Sequence, residues 1–282
     1  MSDPGDTTAI DRYGVVGDPV AHSRSPVIHK LFALQTDQRM QYDLLRASPQ
    51  ELEDTLRRFQ REGGKGLNIT VPNKAEAVRL VDHLTERAST AGAVNTISFR
   101  DGEMWGDNTD GSGLVRDLLN NLRIGIGGSD ILILGAGGAT RGIIAPLLEQ
   151  GPARIMIANR TVSKAQALAE HFSALGPVEA CRFVDAPQAG PWHLVINATS
   201  AGLHGEKPPF PAEIIDRKTV AYDLSYGLNP TPFSLWANMH GAARSLMGWG
   251  MLVEQAAESF RIWRGVAPDT APILNQLEIS AS

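Results

Sequence analysis

The 282-residue sequence contains a single cysteine, Cys181. One thiol forms no intramolecular disulfide and builds no Cys-rich metal site, which suits a reducing compartment and predicts a cytoplasmic protein. Long apolar runs are also missing. The longest, such as 131–134, are far too short to span a bilayer, so no membrane association is expected. The opening "MSDPGDTTAIDR" is acidic and lacks an apolar centre, so it reads as a frayed end rather than a signal or transit peptide. There is no long basic run and the net charge is −5, which argues against nucleic acid as a partner and favours a small soluble ligand. The seven histidines show no pairing at i, i+3 or i+4, so no metal site is expected.

Apolar residues make up 43% of the chain and charged residues 20%, as in an ordinary globular protein, and the length favours two modules. Over residues 13–119, β-like runs alternate with amphipathic ones. "YGVVGDPV" reads as strand and turn. "SPVIHKLFALQ" reads as a helix with Ser25 as N-cap and Pro26 at its first position. "MQYDLLRA" predicts a strand, "SPQELEDTLRRFQREGG" a helix capped by Ser48 and stopped by Gly63 and Gly64, and "KGLNITVP" a further strand. This alternation predicts an α/β sheet with mainly parallel neighbours. "GDNTDGSG" (106–113) interrupts it with small, turn-forming residues and marks a domain crossing. Five short apolar strands then follow, in "DILILG", "ARIMIA", "CRFVDA", "HLVINATS" and "TVAYDLSY", the first two joined by helices. They predict a Rossmann-like doubly wound nucleotide-binding domain. The expected division is a substrate and catalytic domain over 1–112 with 1–11 frayed, a cofactor domain over 113–246, and C-terminal helices over 247–282 that pack back on the first domain.

"GAGGAT" follows an apolar strand and opens a helix, the setting a dinucleotide fingerprint requires. Gly135 is placed for the tight turn, and Gly137, among its neighbours Ala136, Gly138 and Ala139, for close approach of the backbone to a pyrophosphate. The third fingerprint position is Thr140 rather than Gly or Ala. The next strand ends in "ANRTVSK", where NAD binders carry an acid for the ribose hydroxyl. Here stand Asn159, Arg160, Thr161 and Lys164. Cations beside amide and hydroxyl groups suit a 2′-phosphate that an acid would repel, so NADP is favoured over NAD. The plainer alternative makes Arg160 and Lys164 a solvated face.

In "NITVPNK" the chain runs from a β-like stretch through a proline to Lys74, and "AEAVRLVDHL" follows with Val78, Val81 and Leu84 at helical spacing. A lysine at a helix N-terminus opposes the helix dipole, an unfavourable placement unless its ammonium is put to use. Partly desolvated between two domains, it can shuttle a proton near neutral pH, with Asp110 of "NTDG" holding it in place. The alternatives are an exposed lysine and a turn aspartate. In "HSRSP", Ser23 and Ser25 precede a helix start and, with its free N–H groups, form a seat for a carboxylate, although Ser25 as a simple N-cap fits equally. Thr70 and Asn95, the latter in "AGAVNT", add neutral hydrogen-bonding groups of the kind a polyhydroxylated ligand needs. Gln255 lies where the apolar stripe of the last long helix (Leu252, Ala256, Trp263) meets its charged face (Glu254, Glu258, Arg261), and a core-edge glutamine is the alternative there.

With "GDPVAHSRSP", "NITVPNK", "AGAVNT", "GDNTDG", "GAGGATRG", "NRT", "NATSAG" and "MLVEQAAESFRIWRG" in this order, the sequence resembles the shikimate dehydrogenase family over about 13–265. The resemblance implies a reversible NADP-dependent conversion of 3-dehydroshikimate to shikimate on the way to chorismate and the aromatic amino acids. It also implies a substrate domain, completed by the C-terminal helices, that faces the cofactor domain across a cleft. Carried over to this chain, Ser23 and Ser25 would bind the substrate carboxylate, and Thr70, Asn95, Asp110 and Gln255 the ring hydroxyls. Lys74 and Asp110 would handle the proton, and Tyr226 would border the substrate. Thr199, Leu224, Gly248 and Met251 would line the nicotinamide half of NADP. Two departures stand out. Met247 and Trp249 occur in "MGWGML", where the family usually has Asp or Asn before the glycine. "DLSYGLNPTPF" lacks the proline usual two places after the tyrosine. The rival readings are a quinate/shikimate dehydrogenase with relaxed substrate or cofactor choice, and a non-catalytic NADP-binding regulator. A homodimer is compatible with the sequence, which does not fix the oligomeric state.

Overall fold

The computed structural model describes residues 10–199 and 209–279. Residues 1–9, which hold most of the expected frayed end, and residues 200–202 of "NATSAG" lie outside them. The chain divides into two compact units, Met1–Thr109 with Ala256–Ile273, and Asp110–Gln255 with Leu274–Ser282. Each has its own six-stranded sheet.

In the first unit, β1 (Asp11–Gly17), α1 (Ser25–Gln35), β2 (Met40–Arg46), α2 (Leu52–Arg61) and β3 (Gly64–Ile69) alternate as the sequence predicts. They are followed by β4 (His83–Leu84), α3 (Glu86–Ala91), β5 (Thr96–Arg100) and β6 (Glu103–Asp107), in the sheet order β2-β1-β3-β5-β6-β4. β1 pairs in parallel with β2 and β3, and β4 with β6, whereas β5 runs antiparallel to β3 and β6. The exception to the parallel pattern comes from Asp101-Gly102. Both residues take positive φ, 52° and 86°, as a two-residue hairpin turn demands, and this folds β6 back on β5. Central β1 is buried from Tyr13 to Gly17, as befits a strand covered on both faces. α2 buries Leu52, Thr55, Leu56 and Phe59, one helical stripe, against Leu67, Ile69 and Ile97.

Three local expectations are corrected in this unit. "AEAVRLVDHL" forms no α-helix: a 3₁₀ turn, Glu76–Arg79, leads into β4, and Val78, Val81 and Leu84 reach the core cluster from turn and edge strand. Their three-residue spacing fits a 3₁₀ turn as well as an α-helix. Ser25 is not the N-cap of α1. Arg24 holds that place without a side-chain cap, and Ser25 begins the helix. α2 starts after Glu51 rather than at Ser48, and the Glu51 carboxylate reaches back to accept both the backbone N–H (2.9 Å) and the hydroxyl (2.8 Å) of Ser48.

The second unit opens with α4 (Asp110–Arg116), continued by a π turn (Asp117–Asn121). Next come β7 (Asp130–Leu134), α5 (Gly138–Leu148), β8 (Arg154–Ala158), α6 (Val162–Phe172), β9 (Val178–Cys181), the single turn α7 (Ala186–Ala189) and β10 (Leu194–Asn197). β11 (Val220–Asp223), α8 (Pro232–Met239), β12 (Arg244–Met247), α9 (Trp249–Arg264) and α10 (Ala271–Ile279) complete the chain. The sheet order is β9-β8-β7-β10-β11-β12, with every neighbour parallel. Counted within the unit this is 3-2-1-4-5-6, the doubly wound order whose switch point lies between β7 and β10. Side chains of β7 alternate between two cores: Ile131 and Ile133 join Ile143, Leu147 and Leu168, while Leu132 and Leu134 join Trp192, Phe233 and Trp236. "CRFVDA" is corrected here. The third strand ends at Cys181, and Phe183–Asp185 is a 3₁₀ turn. The sixth strand, β12, escaped sequence reading because "RSLM" carries too little apolar pattern.

Candidate active site

In the first unit the expected residues gather at one end of the sheet. Ser23 and Ser25 follow β1, Thr70 and Lys74 follow β3, and Asn95 directly precedes antiparallel β5. The carboxyl ends of parallel strands are where α/β sheets place their ligands. Backbone bonds lace these segments together. Thr70 N–H donates to the Val16 carbonyl (2.9 Å), Ile69 N–H to Asn95 (2.8 Å), Val94 N–H to Lys74 (2.9 Å) and Asn95 N–H to Asp107 (3.0 Å). Buried Asn73 pins the turn that bears Lys74 by donating its amide to the Ala47 carbonyl at 2.8 Å. The Ser23 hydroxyl donates to that of Ser25 (3.2 Å) and accepts the Ser25 N–H (3.3 Å), so the two hydroxyls stand together at the start of α1.

Because no α-helix follows Lys74, the dipole conflict that marked it in the sequence does not operate. Its distinction is its place: a half-buried side chain in a turn fixed at both ends by hydrogen bonds.

Beneath these residues lies a buried polar cluster that sequence reasoning passed over. Asn68 sits inside β3 and accepts the Tyr42 hydroxyl at 2.6 Å, and its amide donates to Thr96 (3.1 Å) and to Ser259 of α9 (3.0 Å). Its signal was available, since an asparagine within an apolar strand is costly to bury unless hydrogen-bonded. The "charged face" of α9 is corrected as well. Glu258 is 2% exposed and pairs with Arg87 (3.2 Å) and Arg261 (2.7 Å), while Glu254 is buried and accepts the Asn121 amide at 3.1 Å. Arg87 also grips Asp107, through Nη2 to Oδ2 at 2.9 Å. Burial works to raise the Asp107 carboxyl, but the Arg87 guanidinium and its other donors hold it below the usual range.

In the second unit, Gly135 takes φ +110°, and a Cβ there would lie 3.1 Å from both the Ala198 carbonyl and the Thr199 methyl, so glycine is required where the loops after β7 and β10 meet. Gly137 is the N-cap of α5 and has open space around it, as backbone approach to a phosphate needs. Ala136, Gly138 and Ala139 complete the turn. Thr140, the irregular fingerprint position, is buried and donates its hydroxyl to the Gly135 carbonyl at 2.9 Å, bracing the turn. After β8, the Asn159 amide donates to the Thr161 carbonyl (2.8 Å). Arg160 and Lys164 are exposed and enter no ion pair among the described residues.

The ends of β10, β11 and β12 bring the remaining residues of this unit together. Asn197 accepts both the N–H (3.2 Å) and the hydroxyl (2.7 Å) of Thr199, and donates its amide to Asp223 at 3.0 Å. Asp223, wholly buried, also accepts the Thr231 hydroxyl at 2.6 Å, and desolvation raises its carboxyl above the ordinary value. Gly248 packs so closely on the Leu224 carbonyl that a Cβ would stand 2.7 Å from it. Met251 belongs to the core cluster that Leu224 packs against. Trp249 is 5% exposed and its ring lies 4.8 Å from that of Tyr226, at 46°. Asp110, 3% exposed, begins α4, and Gln255 is half-buried on α9 with its amide on the Leu252 carbonyl at 2.8 Å. Among the described residues, no group of His, Cys, Asp or Glu is placed to hold a metal ion, and no helix is long and apolar enough to cross a membrane.

Comparison with known proteins covers both units. Residues 15–97 match the shikimate dehydrogenase substrate binding domain, 118–204 the shikimate/quinate 5-dehydrogenase family, and 248–278 the shikimate 5′-dehydrogenase C-terminal domain. The chain is 51% identical over 269 residues to a protein of Thioalkalivibrio sulfidiphilus (strain HL-EbGR7) named shikimate dehydrogenase (NADP(+)), across 95% of this chain and 98% of that one. It shares its fold with the crystal structure of an Ael1 enzyme from Pseudomonas putida (TM-score 0.86, 44% identity, 95% and 98% covered). A further match is shikimate 5-dehydrogenase from Thermus thermophilus in complex with NADP(H) and shikimate (TM-score 0.84, 32% identity, 96% and 100% covered). A doubly wound unit with no acid after its second strand, a second sheet whose strand ends carry Ser23, Thr70, Lys74 and Asn95, and identity near one half along almost the whole length lead to one assignment. The chain belongs to the shikimate dehydrogenase family.

Proposed function

We propose that this chain catalyses the reversible NADPH-dependent reduction of 3-dehydroshikimate to shikimate, on the route to chorismate and the aromatic amino acids. The observation that carries the reading is 51% identity over 95% of the chain to a shikimate dehydrogenase (NADP(+)), in a protein whose β8 is followed by Asn159-Arg160-Thr161 rather than by an acid. When bound, NADPH supplies the hydride for the ketone carbon. The second unit would hold the cofactor. Gly135 to Ala139 and the N-terminus of α5 would receive its pyrophosphate, Asn159, Arg160, Thr161 and Lys164 its 2′-phosphate, and Thr199, Leu224, Gly248 and Met251 its nicotinamide half.

The substrate residues would be Ser23, Ser25, Thr70, Lys74 and Asn95 of the first unit with Asp110, Tyr226 and Gln255 of the second. Ser23 and Ser25 would donate to its carboxylate, and Thr70, Asn95, Asp110 and Gln255 would bond its hydroxyls, with Tyr226 at the border. Lys74 would give a proton to the ketone oxygen on reduction and take it back on oxidation, with Asp110 orienting the ammonium. The Trp249 ring packs against that of Tyr226. A cytoplasmic location fits the single thiol of Cys181, half-buried and pushed up to about 11 by burial, hence poorly reactive. A homodimer is part of the same reading and is tested by sedimentation.

Steady-state rates on shikimate and quinate, each with NADP and NAD, test the proposal. Turnover greatest on shikimate with NADP supports it. Greater efficiency on quinate or with NAD replaces it by the relaxed dehydrogenase, and cofactor binding without turnover on either substrate replaces it by the regulator.

A further inference from the structure

The buried cluster under Asn95 can be followed donor by donor. Asn95 is 2% exposed, and its amide donates to the Thr109 hydroxyl at 2.9 Å. The Thr109 hydroxyl lies 3.3 Å from that of Ser259, and the Ser259 hydroxyl 2.8 Å from that of Thr96. Thr96 donates back to the Asn95 side-chain oxygen at 2.9 Å. Asn95, Thr109, Ser259 and Thr96 thus stand in one ring of contacts, in which the Thr109 hydroxyl also lies 3.2 Å from the Asn95 oxygen and can donate to it. Thr96, Thr109 and Ser259 are each wholly buried, so solvent cannot replace a missing member without cost. The Asn95 oxygen also accepts the Thr109 N–H at 2.8 Å, and Ser259 accepts the Asn68 amide at 3.0 Å.

A carboxamide has nearly the same shape when its oxygen and nitrogen exchange places, so packing alone sets its direction weakly and hydrogen bonds must set it. We propose that Ser259 is a positioning residue for substrate recognition: by holding the Thr96 hydroxyl on the Asn95 oxygen from α9, it works with the Thr109 N–H to set which end of the Asn95 carboxamide meets the substrate hydroxyl. The inference rests on the reading that Asn95 receives a hydroxyl of shikimate. Ser259, wholly buried, would act through Thr96. It comes from α9, far in sequence from Asn95, Thr96 and Thr109, so this helix would contribute to recognition through a buried hydroxyl.

The test is steady-state kinetics on Ser259→Ala, Thr96→Val and the double variant, with melting temperatures beside them. Asn95 holds substrate and transition state alike, so its misorientation is read in KM rather than in kcat. The expected result is a rise in the KM for shikimate of about five- to tenfold in each single variant, with the KM for NADP and kcat nearly unchanged. The double variant should be no worse than the poorer single one, because both break the same ring. A merely structural role would lower the melting temperature and leave the two KM values in their wild-type ratio, and that outcome overturns the proposal. Should Ser259→Ala fail to fold, Thr96→Val breaks the ring from β5 with α9 intact and decides alone. Wild-type protein inactive on shikimate removes the functional reading and the inference together. An active wild type with unchanged KM in the variants removes the inference only.

Discussion

The carbonyl of Lys74 accepts the N–H of Val94 at 2.9 Å, which ties the turn after β3 to the residue before Asn95. A further hold on that turn is the amide of Asn73 on the Ala47 carbonyl. Asn73→Ala removes a buried hydrogen bond and should cost about 1–2 kcal/mol of stability. It should also lower kcat/KM for shikimate, while NADP binding, assigned to the other unit, stays at its wild-type value. Denaturant melts and cofactor fluorescence titration check the two halves, and weakened NADP binding would speak against the assignment of roles to the units.

Arg160 is exposed after β8, where an NAD enzyme would carry an acid. Replacing it with alanine should raise the KM for NADP about tenfold or more and leave the much poorer NAD reaction almost unaffected. Equal losses with both cofactors would show that Arg160 supports the loop rather than the phosphate.

His29 lies flat against Tyr42, ring centroids 4.2 Å apart and planes 10° from parallel, and Phe32, Phe260 and Trp263 complete the enclosure. Neither of its ring nitrogens meets a hydrogen-bond partner among the described residues. Burial pushes the imidazole down to about 3, with nearby Asn68 opposing weakly. The native state therefore keeps His29 neutral while the unfolded chain protonates it near pH 6.5. Below that pH the unfolded state binds the extra proton, and stability falls by about 1.4 kcal/mol per pH unit from this group, down to about pH 3. In His29→Phe this part of the acid sensitivity should vanish, as stability measured between pH 7 and pH 4 will show. Parallel curves for the two proteins would contradict it.

The Arg87 guanidinium joins Asp107 at the end of β6 to Glu258 on α9. Asp107→Asn leaves Arg87 and Arg261 sharing the one carboxylate of Glu258 in a partly buried site and should destabilise the protein by about 1–2 kcal/mol. Because the Asp107 carboxyl is held below its ordinary value, its contribution is present above the unfolded value near 3.8 and disappears as pH falls through the lower folded value. Acid titration of wild type and variant should therefore converge at the lowest pH, and a constant gap would exclude this ionisation as the cause.

The parallel order of the second sheet was legible because each of its main strands is a compact apolar run bounded by glycine or a polar turn, as in "DILILGAGG". β12 was not, since "RSLM" acquires its role only by pairing with β11. The hairpin of β5 and β6 carries its signal in Asp101-Gly102, a two-residue turn that the surrounding alternation of strand and helix patterns masks. Around the site, sequence could single out Lys74, Asn95 and the serines by motif. It could not show that Glu254, Glu258 and Ser259 are buried, since helical periodicity does not reveal that α9 is enclosed on more than one side. The suspected helix after Lys74 shows the same limit: apolar residues three apart satisfied a 3₁₀ turn and an edge strand.

In the proposed reaction Lys74 carries the proton, while cofactor binding rests on other residues. The most direct test of this role is NADPH formation from shikimate and NADP by wild type and Lys74→Ala, with NADP affinity measured on the same samples. The expected result is clear wild-type turnover and a loss of kcat of roughly a hundredfold or more in the variant, with NADP affinity unchanged. Near wild-type turnover in Lys74→Ala would contradict it.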